Sequence, residues 1–160
     1  MEPIGVIHSP FTDIENMPIQ PKGAMDIEGT VHIQEHYIEG LKDLNGFSHI
    51  YLIYLFHKAG RTCLTVTPFM DKFERGVFAT RSPLRPNHIG LSIVQLVKIE
   101  GAILTIRGVD IIDGTPLLDI KPYIENFDSV INSTSGWMTA DLREVSEKRS
   151  DDRFMKIKHH

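Results

Sequence analysis

The chain of 160 residues lacks several features that define common classes of protein. Cys63 is its single cysteine, which excludes an intrachain disulfide and a zinc site built on paired thiolates, and which suits a reducing cytoplasm. No two glycines stand two positions apart and no Gly-Lys-Ser/Thr occurs, so the phosphate-binding loops of dinucleotide and P-loop proteins are missing. The N-terminus has no signal-peptide pattern, and the longest apolar run, residues 50–56, is far shorter than the ~20 residues that span a membrane. The sequence therefore predicts a cytoplasmic protein with no membrane partner.

The formal net charge is −4, but the charge is unevenly distributed. Residues 57–86 contain six basic and two acidic side chains and carry +4, which leaves −8 for the rest of the chain. A basic patch on an acidic body can bind a phosphate backbone, whereas a run of charges is also typical of an ordinary solvated loop.

Short strand-like segments dominate the sequence. Residues 27–33 and 63–68 alternate apolar and polar side chains, and residues 47–56 are apolar on both faces, as in a central strand. Further strands are predicted at residues 3–8, 76–80, 89–99, 102–107, 109–112 and 117–120, with a tight hairpin at Glu100-Gly101. This pattern predicts an all-β fold, either a mainly antiparallel β-barrel or a sandwich.

Helical signals are few. Residues 34–44 predict a short helix, and residues 139–154, where acids and bases alternate after Thr139, predict a helix in the C-terminal tail. Trp137 and Met138 stand just before that helix and are expected to pack on the body. We therefore expect one domain, residues 1–135, followed by a helical tail, residues 136–160.

The most unusual segment is residues 76–90, which we name the clamp loop. Pro83 and Pro86 fix their own φ angles and bias Ser82 and Arg85 away from helix, so the segment is expected to be stiff and extended. Rigidity lowers the entropy cost of binding, which favours a ligand clamp over an ordinary surface loop. The polar side chains that it presents are those of Thr80, Arg81, Ser82, Arg85 and Asn87.

A second segment combines acidic residues with a strong turn signal. Asp113-Gly114 followed by Thr115-Pro116 predicts a turn. We name residues 110–114, which contain its two nearest carboxylates Asp110 and Asp113, the aspartate turn. Its carboxylates are suited to accept hydrogen bonds from a ribose diol or to balance a cation, and the alternative is a structural Asx turn with an Asp119–Lys121 pair. The spacing matches no calcium loop, and the scattered histidines match no zinc motif, so no metal site is predicted.

Together these segments resemble the signature of the TsaA-like family, also called the TrmO family. The family run A-T-R-S-P-x-R-P-N-x-I-G-[LM]-S is matched by residues 79–92, and D-x-x-D-G-T-P-x-x-D-I-K-P-Y by residues 110–123. Residues 4–10 match I-G-x-I-x-S-P, and residues 46–50 match G-F-S-H-[IL] before a strand that ends in Phe56-His57. The resemblance covers roughly residues 3–126.

The resemblance implies a single-sheet antiparallel β-barrel that dimerises and binds S-adenosylmethionine. The activity it implies is N6-methylation of the threonylcarbamoylated adenosine next to the anticodon of tRNA. The expected partners are therefore tRNA, S-adenosylmethionine and a second copy of the chain. One motif departs from the family, because the usual P-R-Q-P is Pro18-Ile19-Gln20-Pro21 here.

The resemblance and the residue chemistry together predict roles for individual side chains. Arg81 or Arg85 is expected to pair with the cofactor carboxylate, where a planar guanidinium fits best, and Asp110 or Asp113 to bind the ribose hydroxyls. Residues that contact the incoming amine are expected among Asn87, Asp119 and Tyr123. The remaining predicted cofactor contacts are Pro18, Gln20, His57, Lys58, Thr80, Ser82, Leu91, Ile111 and Ile112.

Two other functions remain open from the sequence. A chain that binds S-adenosylmethionine without catalysis would be a sensor, and the missing arginine of the P-R-Q-P motif favours this alternative. A plain RNA-binding barrel is the third possibility, although aromatic residues make up only 8 % of the chain.

Overall fold

A computed structural model describes residues 1–13, 24–69 and 71–138. Its strands are β1 Gly5–His8, β2 Glu28–Ile33, β3 His49–Leu55, β4 Thr65–Val66, β5 Arg75–Gly76, β6 Ile89–Glu100, β7 Ile103–Arg107 and β8 Thr115–Pro122. Six of them close into a barrel in the order β1-β2-β7-β6-β3-β8, in which every neighbouring pair is antiparallel. The predicted antiparallel barrel is confirmed.

The remaining elements are short. β4 and β5 form a separate two-stranded sheet within the connection from β3 to β6. The 3₁₀ helices are Glu35–Leu41, Leu44–Gly46, Val77–Ala79 and Pro86–His88, and one α-helical turn, Glu125–Asp128, follows the barrel. In the described ranges no helix has the length and apolar character needed to cross a bilayer.

Two predicted strands are wrong. Within residues 76–80 only Gly76 belongs to a strand, because the next three residues form a 3₁₀ turn that the Thr80 hydroxyl closes by donating to the Val77 carbonyl at 2.8 Å. Residues 109–112 form no strand, because Gly108 (φ +91°) turns the chain and the Gly108 and Val109 amides both donate to the Ile27 carbonyl.

Two other predicted local elements are present near their expected positions. The short helix expected at residues 34–44 is a 3₁₀ helix, Glu35–Leu41, and the hairpin at Glu100-Gly101 is present with Gly101 at φ +62°. The helix predicted at residues 139–154 lies outside the described residues.

The barrel interior is a packed apolar core. Eight residues of this core have no exposed surface: Ile7, Val31, Ile50, Leu52, Leu104, Ile106, Val109 and Leu117. Side chains therefore fill the lumen, as is usual for a barrel with few strands, and a ligand has to bind at an end or on the outside.

Gly90 allows the Tyr54 ring of β3 to pack directly against the backbone of β6. A Cβ atom at this position would lie 2.3 Å from a ring carbon of Tyr54 and 2.9 Å from one of Phe56. The Tyr54 ring can therefore lie across β6 only because residue 90 has no side chain. The Tyr54 hydroxyl then lies 3.0 Å from the Ser92 hydroxyl inside the barrel.

We predict that Gly90→Ala lowers the free energy of unfolding by about 1–3 kcal/mol, the usual cost of overpacking a core. Urea denaturation followed by circular dichroism measures this change. Gly60→Ala is the matched control, because a Cβ atom there would meet nothing within 4 Å. Equal stability of the two variants would contradict this account of Gly90.

Candidate active site

Three connections emerge at the same end of the barrel. β1, β3 and β7 run in one direction, since each pairs antiparallel with its neighbours, and the chain leaves all three at the end marked by Leu55, Ile89 and Thr115. We name this the site end. Among the described residues, the connections there carry residues 9–13 and 24–27, the clamp loop and the aspartate turn, so the topology brings the two predicted segments together.

Hydrogen bonds inside the clamp loop hold its shape. One guanidinium nitrogen of Arg85 donates to the Thr80 carbonyl at 2.8 Å, and the Leu84 amide donates to the Ser82 hydroxyl at 3.2 Å. Ser82 is buried, so its hydroxyl serves the loop itself. The expectation of an extended segment is wrong in part, because the loop contains the 3₁₀ turns Val77–Ala79 and Pro86–His88. Hydrogen bonds of Arg85 and Ser82 fix its shape together with the prolines.

The loop ends in two residues with left-handed backbone. Asn87 has φ +67° and His88 has φ +50°, a conformation that side-chain-bearing residues adopt rarely and at an energetic cost. The His88 imidazole contacts the Pro83 carbonyl at 2.9 Å, and the Phe56 amide donates to the His88 carbonyl at 2.7 Å. These bonds hold the strained pair and leave the Asn87 side chain exposed.

Polar groups appear in the barrel interior only at the site end of the described strands. Tyr54, Ser92 and Thr115 are buried there. The Ser92 hydroxyl donates to the Asp110 carboxylate at 2.8 Å and contacts the Tyr54 hydroxyl at 3.0 Å. Asp110 of the aspartate turn is therefore anchored on a polar layer beneath the loops.

The electrostatics of this layer link the clamp loop to the aspartate turn. Desolvation raises the pKa of Asp110 to about 7, against the opposing effects of the Ser92 hydrogen bond and the Arg81 charge. Arg81 also acts on the buried Tyr54 hydroxyl, whose pKa is raised by desolvation and by Asp110. The positive charge of the exposed Arg81 thus lies within electrostatic range of the buried Tyr54 hydroxyl and the half-buried Asp110 carboxyl.

Asp113 occupies a different environment from Asp110. Its carboxylate contacts the His8 imidazole Nδ1 at 3.0 Å and accepts the Ser9 amide at 3.1 Å. The His8 bond is the main reason why the pKa of Asp113 is lowered. Asp113 therefore ties the turn to the end of β1, while Asp110 faces the clamp loop.

His57 stands where β3 leaves the barrel. The Thr115 hydroxyl donates to the Ile112 carbonyl at 2.6 Å, so its oxygen can accept the proton of His57 Nδ1, 3.4 Å away. Burial and the adjacent Lys58 charge lower the pKa of His57, which keeps the imidazole neutral at neutral pH. In this tautomer Nε2 carries the lone pair.

The other predicted contacts are spread along the barrel. Asp119 lies within β8, bonds to the Ile120 amide and pairs with Lys121 at 3.3 Å, so the structural Asp119–Lys121 pairing is present. Tyr123 follows β8 at the opposite end, where its amide donates to the His49 carbonyl. The seven residues of β3 separate that end from the site end by about 20 Å, so Tyr123 does not join the other predicted residues within one chain.

Five further predicted positions lie elsewhere on the barrel or outside the described residues. Leu91 is 53 % exposed on the outer face of β6, and Lys58 is exposed beside His57. Ile111, a residue of the aspartate turn, is buried. Pro18 and Gln20, with the departure at Ile19, lie outside the described residues.

Sequence reasoning missed the buried polar layer. In the sequence, Tyr54 is one residue of an apolar strand and Ser92 is the last position of a motif, and neither pattern indicates a buried hydrogen bond. The signal was the run Ile89-Gly90-Leu91-Ser92, in which a glycine and a serine interrupt an otherwise apolar inward face. Among the residues that the structure describes, no cluster of histidine, cysteine and acidic side chains could hold a metal ion.

Comparison with known proteins identifies the family. The model of the tRNA-methyltransferase O N-terminal domain matches residues 6–129, so the chain belongs to the TrmO family. It is 52 % identical over 155 residues to a probable S-adenosyl-L-methionine-binding protein of Pyrococcus abyssi, covering 97 % of this chain and 84 % of that protein. It is 40 % identical to the tRNA (adenine(37)-N6)-methyltransferase of Mus musculus, covering 82 % of this chain but 32 % of that enzyme.

A solved structure agrees with the fold. The crystal structure of TrmO from Pseudomonas aeruginosa superposes with a TM-score of 0.72 at 39 % identity, covering 88 % of this chain and 62 % of that one. The chain therefore corresponds to a part of the longer relatives and to most of the archaeal one.

We predict that the contribution of Asp110 to the free energy of unfolding falls as pH rises from about 4 to about 7. The folded Asp110 carboxyl has its pKa raised from 3.8 to about 7, so the folded state holds a proton that the unfolded state releases in this window. Asp110→Asn removes this loss. At pH 8 it should exceed the wild type by roughly 2–4 kcal/mol, since one pKa unit corresponds to about 1.4 kcal/mol.

Urea titrations of the wild type and the variant between pH 4 and pH 8 measure this difference. Asp119→Asn, which removes a carboxylate from the outer surface, is the matched control. A difference between wild type and Asp110→Asn that does not change with pH would refute the desolvated state of Asp110.

Proposed function

We propose that the chain is a cytoplasmic S-adenosylmethionine-dependent tRNA methyltransferase that modifies N6 of the adenosine next to the anticodon. The observation that carries this proposal is the meeting of the clamp loop and the aspartate turn at the site end, with Arg81 acting on Asp110. Family membership supports the reaction class, and the names of the archaeal and mammalian relatives support the cofactor and the target.

The contacts of each side chain favour one member of each predicted pair. Arg81 is exposed at the clamp loop and its charge acts on Asp110, so these two groups share one environment at the site end. We assign the cofactor carboxylate to Arg81 and the ribose hydroxyls to Asp110. A cation and a carboxyl group at one rigid site suit a zwitterionic nucleoside, with the backbone of Ile111 and Ile112 near its base.

S-adenosylmethionine supplies an activated methyl group when bound, so the protein has mainly to position the acceptor and remove a proton. The exocyclic amine of adenine is a weak nucleophile, because its lone pair is delocalised into the ring. We assign the proton to His57 Nε2, since the neutral imidazole donates through Nδ1 to Thr115 and presents a lone pair. The exposed Asn87 amide is assigned to orient the incoming amine.

The basic patch of residues 57–86 is the proposed contact for tRNA phosphates. It overlaps the clamp loop in sequence at residues 76–86, so an RNA bound to these side chains would have its target base close to the site end. The resemblance favours an adenosine that already carries a threonylcarbamoyl group as the substrate.

A homodimer is supported by the outer face of the β3–β6 pair. Outward side chains Tyr51, Ile53 and Leu55 lie opposite Ile93, Leu91 and Ile89, which makes a continuous apolar surface. Leu91 and Ile93 are 53 % and 39 % exposed, and Asn87 lines an adjoining depression of about 370 Å³. An exposed apolar face of this kind is typical of an interface between subunits.

We expect Leu91→Lys to convert a dimer into a monomer in sedimentation experiments, because it places a charge at the centre of this face. Val6→Lys is the control, since Val6 is an exposed apolar residue on β1, which lies opposite β6 in the ring of six strands. A wild type that sediments as a monomer would exclude the proposed dimer.

The enzymatic proposal is tested with tRNA, labelled S-adenosylmethionine and the full chain. Digestion of the tRNA and mass spectrometry should show one additional methyl group on the adenosine next to the anticodon. Calorimetry should show binding of S-adenosylhomocysteine that Arg81→Ala weakens at least tenfold, because a charge-assisted bidentate pair is lost. Arg107→Ala is the control, since Arg107 pairs with Glu28 on the barrel wall.

The same measurements separate the alternatives. Binding of S-adenosylhomocysteine without methyl transfer to any tRNA would indicate a sensor. Salt-dependent RNA binding with no nucleoside binding would indicate an RNA-binding barrel and would overturn the proposal.

A further inference from the structure

Trp137 joins the segment after the barrel to the clamp loop. Its indole N–H donates to the Ala79 carbonyl at 2.8 Å, a hydrogen bond between residues 58 positions apart. Ala79 is the last residue of the 3₁₀ turn that leads directly into Thr80 and Arg81. Trp137 lies beyond residues 6–129, the part that the family model matches.

A stack of side chains surrounds this hydrogen bond. The Arg75 guanidinium lies 5.5 Å from the Trp137 ring centroid and 5.7 Å from the Phe73 ring centroid, within the range of cation–π attraction. Its Nε also donates to the Asp71 carboxylate. Arg75 belongs to β5, which runs into the same 3₁₀ turn, so Trp137 contacts the entry of the clamp loop at two points.

The chain has to run back along the barrel to make this contact. Tyr123 lies at the end of the barrel opposite the site end, and Trp137 follows it by 14 residues. The segment between them therefore returns along the barrel to the clamp loop. Half-buried packing of the indole and a well-formed N–H bond hold it there.

We propose that Trp137 is a positioning residue that holds the clamp loop in its cofactor-binding shape and couples the segment after the barrel to cofactor binding. This inference rests on the proposed function. Its physical basis is preorganisation, because fixing Ala79 reduces the freedom that Thr80 and Arg81 would lose on binding. Trp137 acts by positioning because its hydrogen bond goes to the backbone of the clamp loop.

The chain provides its own reporter, because Trp137 is its single tryptophan. Indole emission depends on hydrogen bonding and on the local field, and both change at Trp137 if the loop responds to a ligand. Titration with S-adenosylhomocysteine should therefore shift the emission, and the midpoint should equal the Kd from calorimetry. A protein in which Trp137 is only a remote structural contact would show no such shift.

Trp137→Phe separates the hydrogen bond from the packing. It keeps a ring over Arg75 but removes the N–H donor, so the Kd for S-adenosylhomocysteine should rise about threefold to tenfold, as expected for one lost hydrogen bond. The KM for S-adenosylmethionine should rise by the same factor while kcat stays within twofold. Phe127→Leu is the matched control, since Phe127 is an exposed aromatic residue of the same segment. Neither variant should change the melting temperature of the barrel.

The outcomes are distinguishable. If the wild type binds S-adenosylhomocysteine with no change in emission and Trp137→Phe binds equally well, the positioning role is wrong and the proposed function stands. If calorimetry detects no binding to the wild type, the proposed function fails first, and the inference about Trp137 fails with it.

Discussion

Closure of the sheet by pairing β1 with β8 is the constraint on which the rest of the structure depends. The register Gly5↔Leu117 to Ile7↔Thr115 removes both sheet edges and fixes which end of each strand faces the loops. Because the lumen is filled with apolar side chains, a ligand has to bind at an end of the barrel or on its outside. Three connections meet at the site end because β1, β3 and β7 run in the same direction, and their sequences then decide what that end can bind.

Beneath those connections, hydrogen bonds that link Tyr54, Ser92 and Asp110 take the place of the apolar contacts of the core. A buried carboxyl group is costly, and the desolvation that raises the pKa of Asp110 is the measure of that cost. A structure that served packing alone would place an apolar residue there. The cost is understandable if a polar ligand is to satisfy the same group, which is how functional sites commonly trade stability for binding.

The sequence predicted the barrel because alternation along residues 27–33, 47–56 and 89–99 reflects a buried inward face. It failed at residues 76–80 and 109–112, where β-branched residues favour a strand but the Thr80 hydroxyl and the turn at Gly108 redirect the backbone. For the site, the proline pattern revealed a stiff loop. It could not reveal that Arg85 bonds to the carbonyls of its own loop, or that the Arg81 charge lies near Asp110, because both depend on how the chain folds back on itself. Trp137 was expected to pack on the body, and it does so, at Ala79.

The small sheet of β4 and β5 has its own core, formed by Val66, Val77 and Leu84, separate from that of the barrel. Its two strands are two residues each, so few ladder bonds hold it. Such a unit can open without disturbing the barrel, and its amide protons should exchange with solvent well before those of β3 and β6. The barrel therefore does not depend on this small sheet for its own packing, and substitutions in β4 and β5 can accumulate while the barrel continues to fold.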